Sequence, residues 1–441
     1  MSVAAQAARR RTTAPTTRRS TLGLMLLLGT MITIGPATID MYLPALPRIA
    51  DDLNASDAAV QLTLAGTMFG MAVGQLVIGP LSDAFGRRRP LLIGVVVHVA
   101  ASLGVLVIAD VGGLGVLRLF QGFGAAGSAT IAMAVIRDLW SGVRAAQVLS
   151  RLMLVMGMAP ILAPSVGSVI LRFADWRSIF GVLAGISLLV ALGTALLLPE
   201  TLPPARRRPA RPAALAATIG SLLRDRAYVG LIFVSGLTFV ALFAYVSGSS
   251  FVLQQTYGLS ATQFGLAFSG GAIGMIVMTQ VNVPLVGRYG PGRLLVTGLC
   301  GAFASALVLV AAAATGFGGL FGVLVPIWAM MSFIALTFPN TPALALSRHG
   351  DAAGTAAALL GSTQFLIGSL AAPLLGVLGS GSALPMALVM AGAFALALLL
   401  LGVVVRSSGL RLPAVLDGDT EGETDGDTAL AAVREPVAVA H

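Results

Sequence analysis

Charge is scarce in this sequence: ionised side chains make up 10% of its 441 residues, and lysine is absent. A soluble domain carries about 25% charged residues, so no water-facing shell can be built from this composition. Hydrophobic residues reach 57%, with a mean hydropathy of +0.93, and the solvent must be a membrane. One cysteine, Cys300, excludes intrachain disulfides and a thiolate metal cluster. The three histidines, His98, His349 and His441, never cluster, and there is no GxxxxGK[ST] loop, so neither a metal, a cofactor nor a bound nucleotide is expected. Aromatics are only 6% against 53 glycines, which argues against a β-barrel with aromatic girdles and for helices packed through small residues. A net charge of +9 would suggest nucleic acid in a soluble protein; here the position of the charges points to the bilayer, and no nucleic-acid partner is expected.

What is present is a series of apolar runs. A spanning helix needs about 20 mostly apolar residues, and twelve such stretches can be read: 22–42, 58–78, 91–109, 113–134, 149–170, 178–198, 227–249, 261–283, 294–314, 319–341, 353–377 and 384–405. The longest polar interruption, Pro199 to Arg226 with PPARRRPARP near its start, divides them. The expected organisation is a tail 1–21, a six-helix bundle 22–198, a linker 199–226, a second bundle 227–405 and a tail 406–441. The run DGDTEGETDGDT in the last tail is acidic and glycine-rich, a composition that favours disorder. Arginine placement predicts orientation, since positive residues near helix ends stay inside. With both termini cytoplasmic, 23 arginines fall on inner segments and three, Arg48, Arg172 and Arg177, on outer ones, leaving Arg118 within a span.

An internal echo supports two halves. Pro80-Leu81-x-x-x-Phe85-Gly86 recurs as Pro284-Leu285-x-x-x-Tyr289-Gly290 at an offset of 204 residues, and the same offset carries the first span onto the seventh. Two ionisable residues then stand out, because a charge at a helix centre costs about 2.5 to 3.5 kcal/mol even on lenient scales. Asp40 lies near the outer end of the first span and Arg118 near the start of the fourth, so counting residues puts both in the outer third. Equal depth predicts that they meet, as an ion pair loosened by substrate or by rearrangement: a proton switch. A plainer alternative, Asp40 marking the interface and Arg118 snorkelling outward, stays open on position alone.

The motifs add a resemblance. Asp40-Met-Tyr42-Leu-Pro44-Ala-Leu-Pro47, GPLSDAFGRRRP from Gly79 to Pro90, LRLFQGFGAAG from Leu117 to Gly127, APILAPSVGS from Ala159 to Ser168 and LPET at Leu198 to Thr201 are similar to the bicyclomycin and chloramphenicol resistance (Bcr/CflA) branch of the major facilitator drug:proton antiporters. The match is dense in the first half; the second half follows by hydropathy and the repeat. The resemblance implies an all-α integral membrane protein of twelve helices in two six-helix bundles. It implies proton-coupled efflux of small amphipathic drugs by a protein that is not an enzyme, monomeric, in a bacterial cytoplasmic membrane. Lipid, drug and protons are then its partners.

On that resemblance, Asp40 and Arg118 carry proton coupling. Gly79, Asp83, Gly86 and Arg87, with Asp138 below the fourth span, form a conformational latch favouring the outward-open state; Gly79 and Gly86 would permit a tight reversal and Asp83 would accept from a helix N-terminus. Ala84 stands where the family usually has a basic residue. Pro160, Pro164 and Gly167 mark the bent fifth helix of antiporters, with Ala163-Pro164 and Gly167-Ser168 in place of the commoner Gly-Pro and Gly-Gly. Gly35-Pro36 should break the first helix one turn before Asp40. Tyr42, Gln121, Phe239, Phe243, Tyr245, Trp328, Asn340 and Gln364 are candidates to line the substrate cavity, plain packing being the alternative for each. His98, on a peripheral third helix, reads as packing rather than as a proton relay. An exporter of an endogenous metabolite, sugar or amino acid on the same fold, a channel and a membrane-embedded enzyme are the competing functions, and the last lacks any paired intramembrane carboxylates.

Overall fold

Hydrocarbon offers a peptide group no partner, so each apolar run must satisfy its own backbone, and it does so as helix. The computed structural model describes residues 18–207, 212–379 and 381–408, and among these there is no strand. The N-terminal tail before residue 18 and the acidic C-terminal run lie outside the described residues. Eleven helices among the described residues are long and apolar enough to cross a bilayer. One of them, Ala261–Thr315, has 55 residues. At 1.5 Å per residue it would measure about 80 Å, against a hydrocarbon core of about 30 Å. It is broken at Gly290, whose φ of 75° and ψ of 159° are not helical, so it supplies two spans and the total is twelve.

In chain order these are α1 (Arg18–Asp40), α2 (Asp57–Phe85), α3 (Arg88–Val105), α4 (Val111–Leu139), α5 (Gly142–Phe173) and α6 (Arg177–Leu197). The second six are α7 (Arg226–Phe251), α8 (261–289), α9 (291–315), α10 (Gly319–Leu346), α11 (Ala353–Leu378, interrupted at 369–370) and α12 (Ala383–Ser408). Polar residues start several of them. Ser56, Asp110 and Asp225 accept from backbone N–H groups of the first turn, and Ser260 and Gln263 form a reciprocal capping box. Pro373 explains the interruption in α11, since it lacks the N–H that would continue the ladder. A further short helix, Pro212–Leu222, lies in the connection between the halves.

Helix α1 corrects an expectation. It runs unbroken through Pro36 and ends only at Asp40, followed by a 3-10 turn Leu43–Ala45 and a short helix Leu46–Asp52. Pro36 removes one backbone donor, which the helix tolerates, whereas Pro44 and Pro47 stand in the first positions of the 3-10 turn and of the short helix, where a missing N–H costs nothing and a new helical segment starts. The break therefore follows the carboxylate instead of preceding it.

Each half packs around its own core. In the first, α4 lies against α1, α2 and α3, while α6 covers α1 and α3; in the second, α7 contacts α10, α11 and α12. The α2–α4 approach is close enough to require glycine, because a Cβ at Gly122 would collide with the carbonyl of Thr67. Between halves, α5 faces α8 and α2 faces α11. At the arginine-poor end these seams are bonded. Ser250 Oγ donates to Leu43 O (2.5 Å), Gln254 Nε2 to Pro44 O (3.2 Å), Ser168 Oγ to Ala261 O (2.8 Å) and Arg172 Nε to Thr262 Oγ1 (3.1 Å). In this conformation the halves are closed at that end.

Candidate functional site

Azimuth on α1 decides the site. Thr38 and Tyr42 are four residues apart and share one face, which looks into the first half: Thr38 meets His98, and Tyr42 donates to or accepts from Thr63 (3.1 Å) and packs edge-on to Phe180. Asp40, two residues from each, is about 200° away around the helix. It looks toward the second half, within electrostatic reach of Tyr245 on α7. Among the described residues it is the only buried carboxyl group, and it has no hydrogen-bond or ion-pair partner there.

Arg118 lies elsewhere. Its guanidinium sits over the Tyr42 ring, 4.0 Å from the centroid, and 5.6 Å from that of Phe180. Nη1 donates to Gln121 Oε1 at 2.9 Å, while Nε and Nη2 have no partner although fully buried. The Asp40–Arg118 ion pair anticipated from depth is thus not formed in this conformation. The two groups stand on opposite faces of α1, with Tyr42 covering the arginine. An arginine with two buried, unanswered donors keeps capacity for an acceptor, at a desolvation cost of about 1–3 kcal/mol per unsatisfied group.

The expected cavity residues do not gather in one place. Tyr42 and Gln121 are wholly buried inside the first half and line no opening here. Phe239 and Phe243 pack with Phe338 and Phe365: ring centroids are 5.9, 5.4, 5.7 and 6.4 Å apart around the cluster, which forms a continuous aromatic surface. Met68 of α2 reaches this surface beside Gly368. Tyr245 stacks on Phe268 at 5.0 Å. Trp328 Nε1 donates to Ala267 O (2.9 Å), and Gln364 Nε2 to Ser235 Oγ (2.7 Å), so both are half-buried and held within their own half. Asn340 is a correction: buried at 1% exposure, it spends its amide on Asn282 Oδ1 (2.7 Å) and Leu336 O (2.7 Å), joining α8 to α10 instead of facing a ligand.

The latch residues gather as a cluster with one exception. Arg87, 8% exposed, bonds Asp83 (2.5 Å), Asp138 (3.1 Å) and Ser82 (2.8 Å). Gly86 makes the turn, with φ at 91°, a conformation that favours glycine. Gly79 is no part of the reversal, since α2 continues through it and Pro80 to Phe85. Nor does Asp83 receive a helix N-terminus. That place is taken by Glu200, whose carboxylate accepts from Arg87 N (2.8 Å), Arg88 N (3.4 Å) and Leu202 N (3.0 Å), and Thr201 adds a bond to Asp138 (3.1 Å). Negative charge at the start of α3 is favoured by the unpaired N–H groups and the helix dipole. Glu200 sits in the LPET motif but 113 residues from Arg87, so sequence spacing gave no sign of the contact.

On α5, Pro160 and Pro164 lie inside a continuous helix. The nearby hydroxyls cross the seam: Ser269 Oγ donates to Ile161 O (2.9 Å) and lies 3.3 Å from Ser165 Oγ. Gly167 admits the carbonyl of Met41, with which any Cβ would collide, so α5 presses directly on the chain just past Asp40. A surface hollow of about 560 Å³ lined by Arg48, Ser168, Arg172 and Gln263 lies over the closed seam; its residues differ from those around Asp40 and the phenylalanines.

A model of the Major Facilitator Superfamily matches residues 25–373. An uncharacterised MFS-type transporter, YdgK, of Bacillus subtilis is 37% identical over 85% of this chain and 93% of its own length. A bicyclomycin resistance protein homolog of Haemophilus influenzae is 33% identical over 84% and 92%, and the multidrug resistance protein MdtL of Salmonella heidelberg 31% over 79% and 87%. Among solved structures the nucleoside transporter NupG superposes with a TM-score of 0.72 at 12% identity, covering 87% of this chain and 99% of that one. A partially occluded inward-open form of the xylose transporter XylE from E. coli gives 0.66 at 14% identity, covering 87% and 97%. These last two likenesses concern the fold alone.

Proposed function

This chain belongs to the Major Facilitator Superfamily and is a multi-pass membrane transporter, and on that premise we propose that it expels small amphipathic drugs, phenicol- or bicyclomycin-like, in exchange for protons. The observation that carries the coupling is Asp40: a buried carboxyl group with no partner, turned toward the opposite half and next to the break that ends α1. A carboxyl in that position can take a proton from one side and release it to the other as the halves rock. Arg118 acts beside it, through Tyr42 and Gln121 in the present conformation, its two unanswered donors available to an acceptor in another. With the arginine-rich ends cytoplasmic, the seam bonded here is the outer one. The Arg87–Asp138–Glu200 cluster steadies the first half on the cytoplasmic side.

The drug-facing wall is the Phe239–Phe243–Phe338–Phe365 cluster, apolar and aromatic with Tyr245 and Gln364 at its margin, a surface suited to flat amphipathic molecules. The relatives named for bicyclomycin and multidrug resistance support that class of cargo. Energetically one proton is enough for useful export. Each proton crossing 100 mV supplies about 2.3 kcal/mol, and each pH unit adds about 1.36 kcal/mol. Together they sustain an uncharged drug gradient on the order of a hundredfold.

The test is purified protein in liposomes with an imposed pH gradient, challenged with a panel including phenicols. Drug movement that collapses with the gradient is expected; equal movement with and without it refutes antiport. Growth of a susceptible host expressing the protein on the same panel identifies the cargo.

A further inference from the structure

One buried titratable group plays no part in the proposed cycle: His98, at 0% exposure in the middle of α3. It is placed there by a close approach of α3 and α4, where a Cβ at Gly124 would collide with Gly94 O and stand 2.9 Å from His98 Cβ. The ring thereby reaches two other helices. Its Nε2 lies 2.8 Å from Thr38 Oγ1 on α1, and its Nδ1 2.9 Å from Ser187 Oγ on α6 and 3.4 Å from Ser102 Oγ one turn on.

The proton positions follow from counting donors. Thr38 gives its own hydroxyl proton to Ile34 O (2.6 Å), so its oxygen accepts, and His98 Nε2 must carry the hydrogen. Nδ1 is then the acceptor for Ser187. Ser102 donates to His98 O (2.7 Å) and accepts from Gln121 Nε2 (2.6 Å), whose Oε1 in turn accepts from Arg118 Nη1 (2.9 Å). Each bond has one donor and one acceptor: the neutral imidazole bonds Thr38 and Ser187, whereas the Arg118–Gln121–Ser102 series ends on the backbone carbonyl of His98. Arg118 on α4 is thereby bonded to the backbone of α3, and the imidazole joins α3 to α1 two residues before Asp40.

We propose that His98 is a positioning residue that, as a neutral imidazole, ties the outer part of α1, where Asp40 stands, to Ser187 on α6 and to α3, the helix whose backbone takes the bond from the Gln121–Arg118 pair through Ser102. This inference rests on the role given above to Asp40 and Arg118, and it adds the device that makes their helices move as one. The physical reason is the seam beyond it: α1 ends at Asp40, and without a lateral bond its last turn would be held only by apolar packing.

The experiment compares His98→Phe, which fills the same space without hydrogen bonds, Thr38→Val, which removes the acceptor while leaving the imidazole, and His98→Gln, whose amide keeps a donor near Nε2. Backbone hydrogen exchange over residues 36–46 in the full-length protein in lipid nanodiscs should rise about tenfold in the first two, as loss of one buried hydrogen bond predicts. The double variant should rise no further, and His98→Gln should restore most of the protection. In liposomes the first two should lower kcat for proton-driven export about tenfold with KM for the drug changed less than about twofold, and His98→Gln should recover it. Unchanged exchange over 36–46 in Thr38→Val overturns the proposal, and so does a transport loss that His98→Gln fails to rescue. Should His98→Phe not fold, Thr38→Val carries both readings, because its packing volume is preserved. The exchange readout needs no cargo, so absence of drug transport would sink the export reading while leaving this one to stand or fall separately.

Discussion

The two halves share a fold and differ in chemistry. Among the described residues every buried acidic or basic side chain, Asp40, Arg87, His98 and Arg118, belongs to the first half. Buried polar groups of the second are mainly Ser, Thr and Asn, and four of its phenylalanines form one ring cluster. Burying charge is costly unless it is answered by partners: Arg87 has Asp83 and Asp138 and His98 has Thr38 and Ser187, whereas among the described residues Arg118 has only Gln121 and Asp40 has none. The second half avoids that cost and offers shape. On the proposed function, duplication of one six-helix unit leaves one copy to handle protons and the other to handle an apolar cargo.

The sharpest way to break this division is Asp40→Asn. Concentrative export should fall by about a hundredfold or more, to passive equilibration, since the proton's contribution of about 2.3 kcal/mol per 100 mV is lost; undiminished resistance in cells expressing a folded Asp40→Asn protein would refute its role. Arg118→Met comes next. Export should drop about tenfold or more while the melting temperature stays within about 5 °C, because replacing an incompletely paired buried charge by an apolar side chain is often neutral for stability. A large fall in melting temperature would make Arg118 a structural residue only. On the other side of the comparison, Phe365→Ala should raise KM for aromatic drugs about tenfold, the worth of a lost ring contact with its burial, and leave drug-free proton leak unchanged. A loss of coupling in that variant would dissolve the contrast between halves. The smallest effect is expected for Asn340→Leu paired with Asn282→Leu: exchanging both partners of a buried hydrogen bond for apolar groups should change export by less than about threefold, whereas either single change should cost more.

Much of this was legible in one dimension. Hydropathy finds the spans because the bilayer fixes their length, and arginine-rich loops mark the seam after residue 198. The Gly86–Arg87–Asp138 cluster also follows from motif, for a turn needing positive φ accepts glycine most readily. Three things were not legible. Depth along α1 and α4 could be counted, yet the side on which Asp40 and Arg118 face depends on how α1 is rotated against its neighbours, and that rotation set them apart. His98 looked peripheral because α3 is; only the Gly94–Gly124 approach brings its ring to α1. Glu200 joined the latch through a contact across 113 residues for which no local pattern exists.

The sequence by itself determined that this chain lives in a membrane, crosses it twelve times and carries its few buried charges in the first half. Those facts follow from transfer free energies, which are paid residue by residue and need no knowledge of neighbours. Tertiary structure alone decided which of those charges see one another. Electrostatic and hydrogen-bond partnership falls off over a few ångströms, and a rotation of one helix by half a turn is enough to replace a carboxylate with a tyrosine ring.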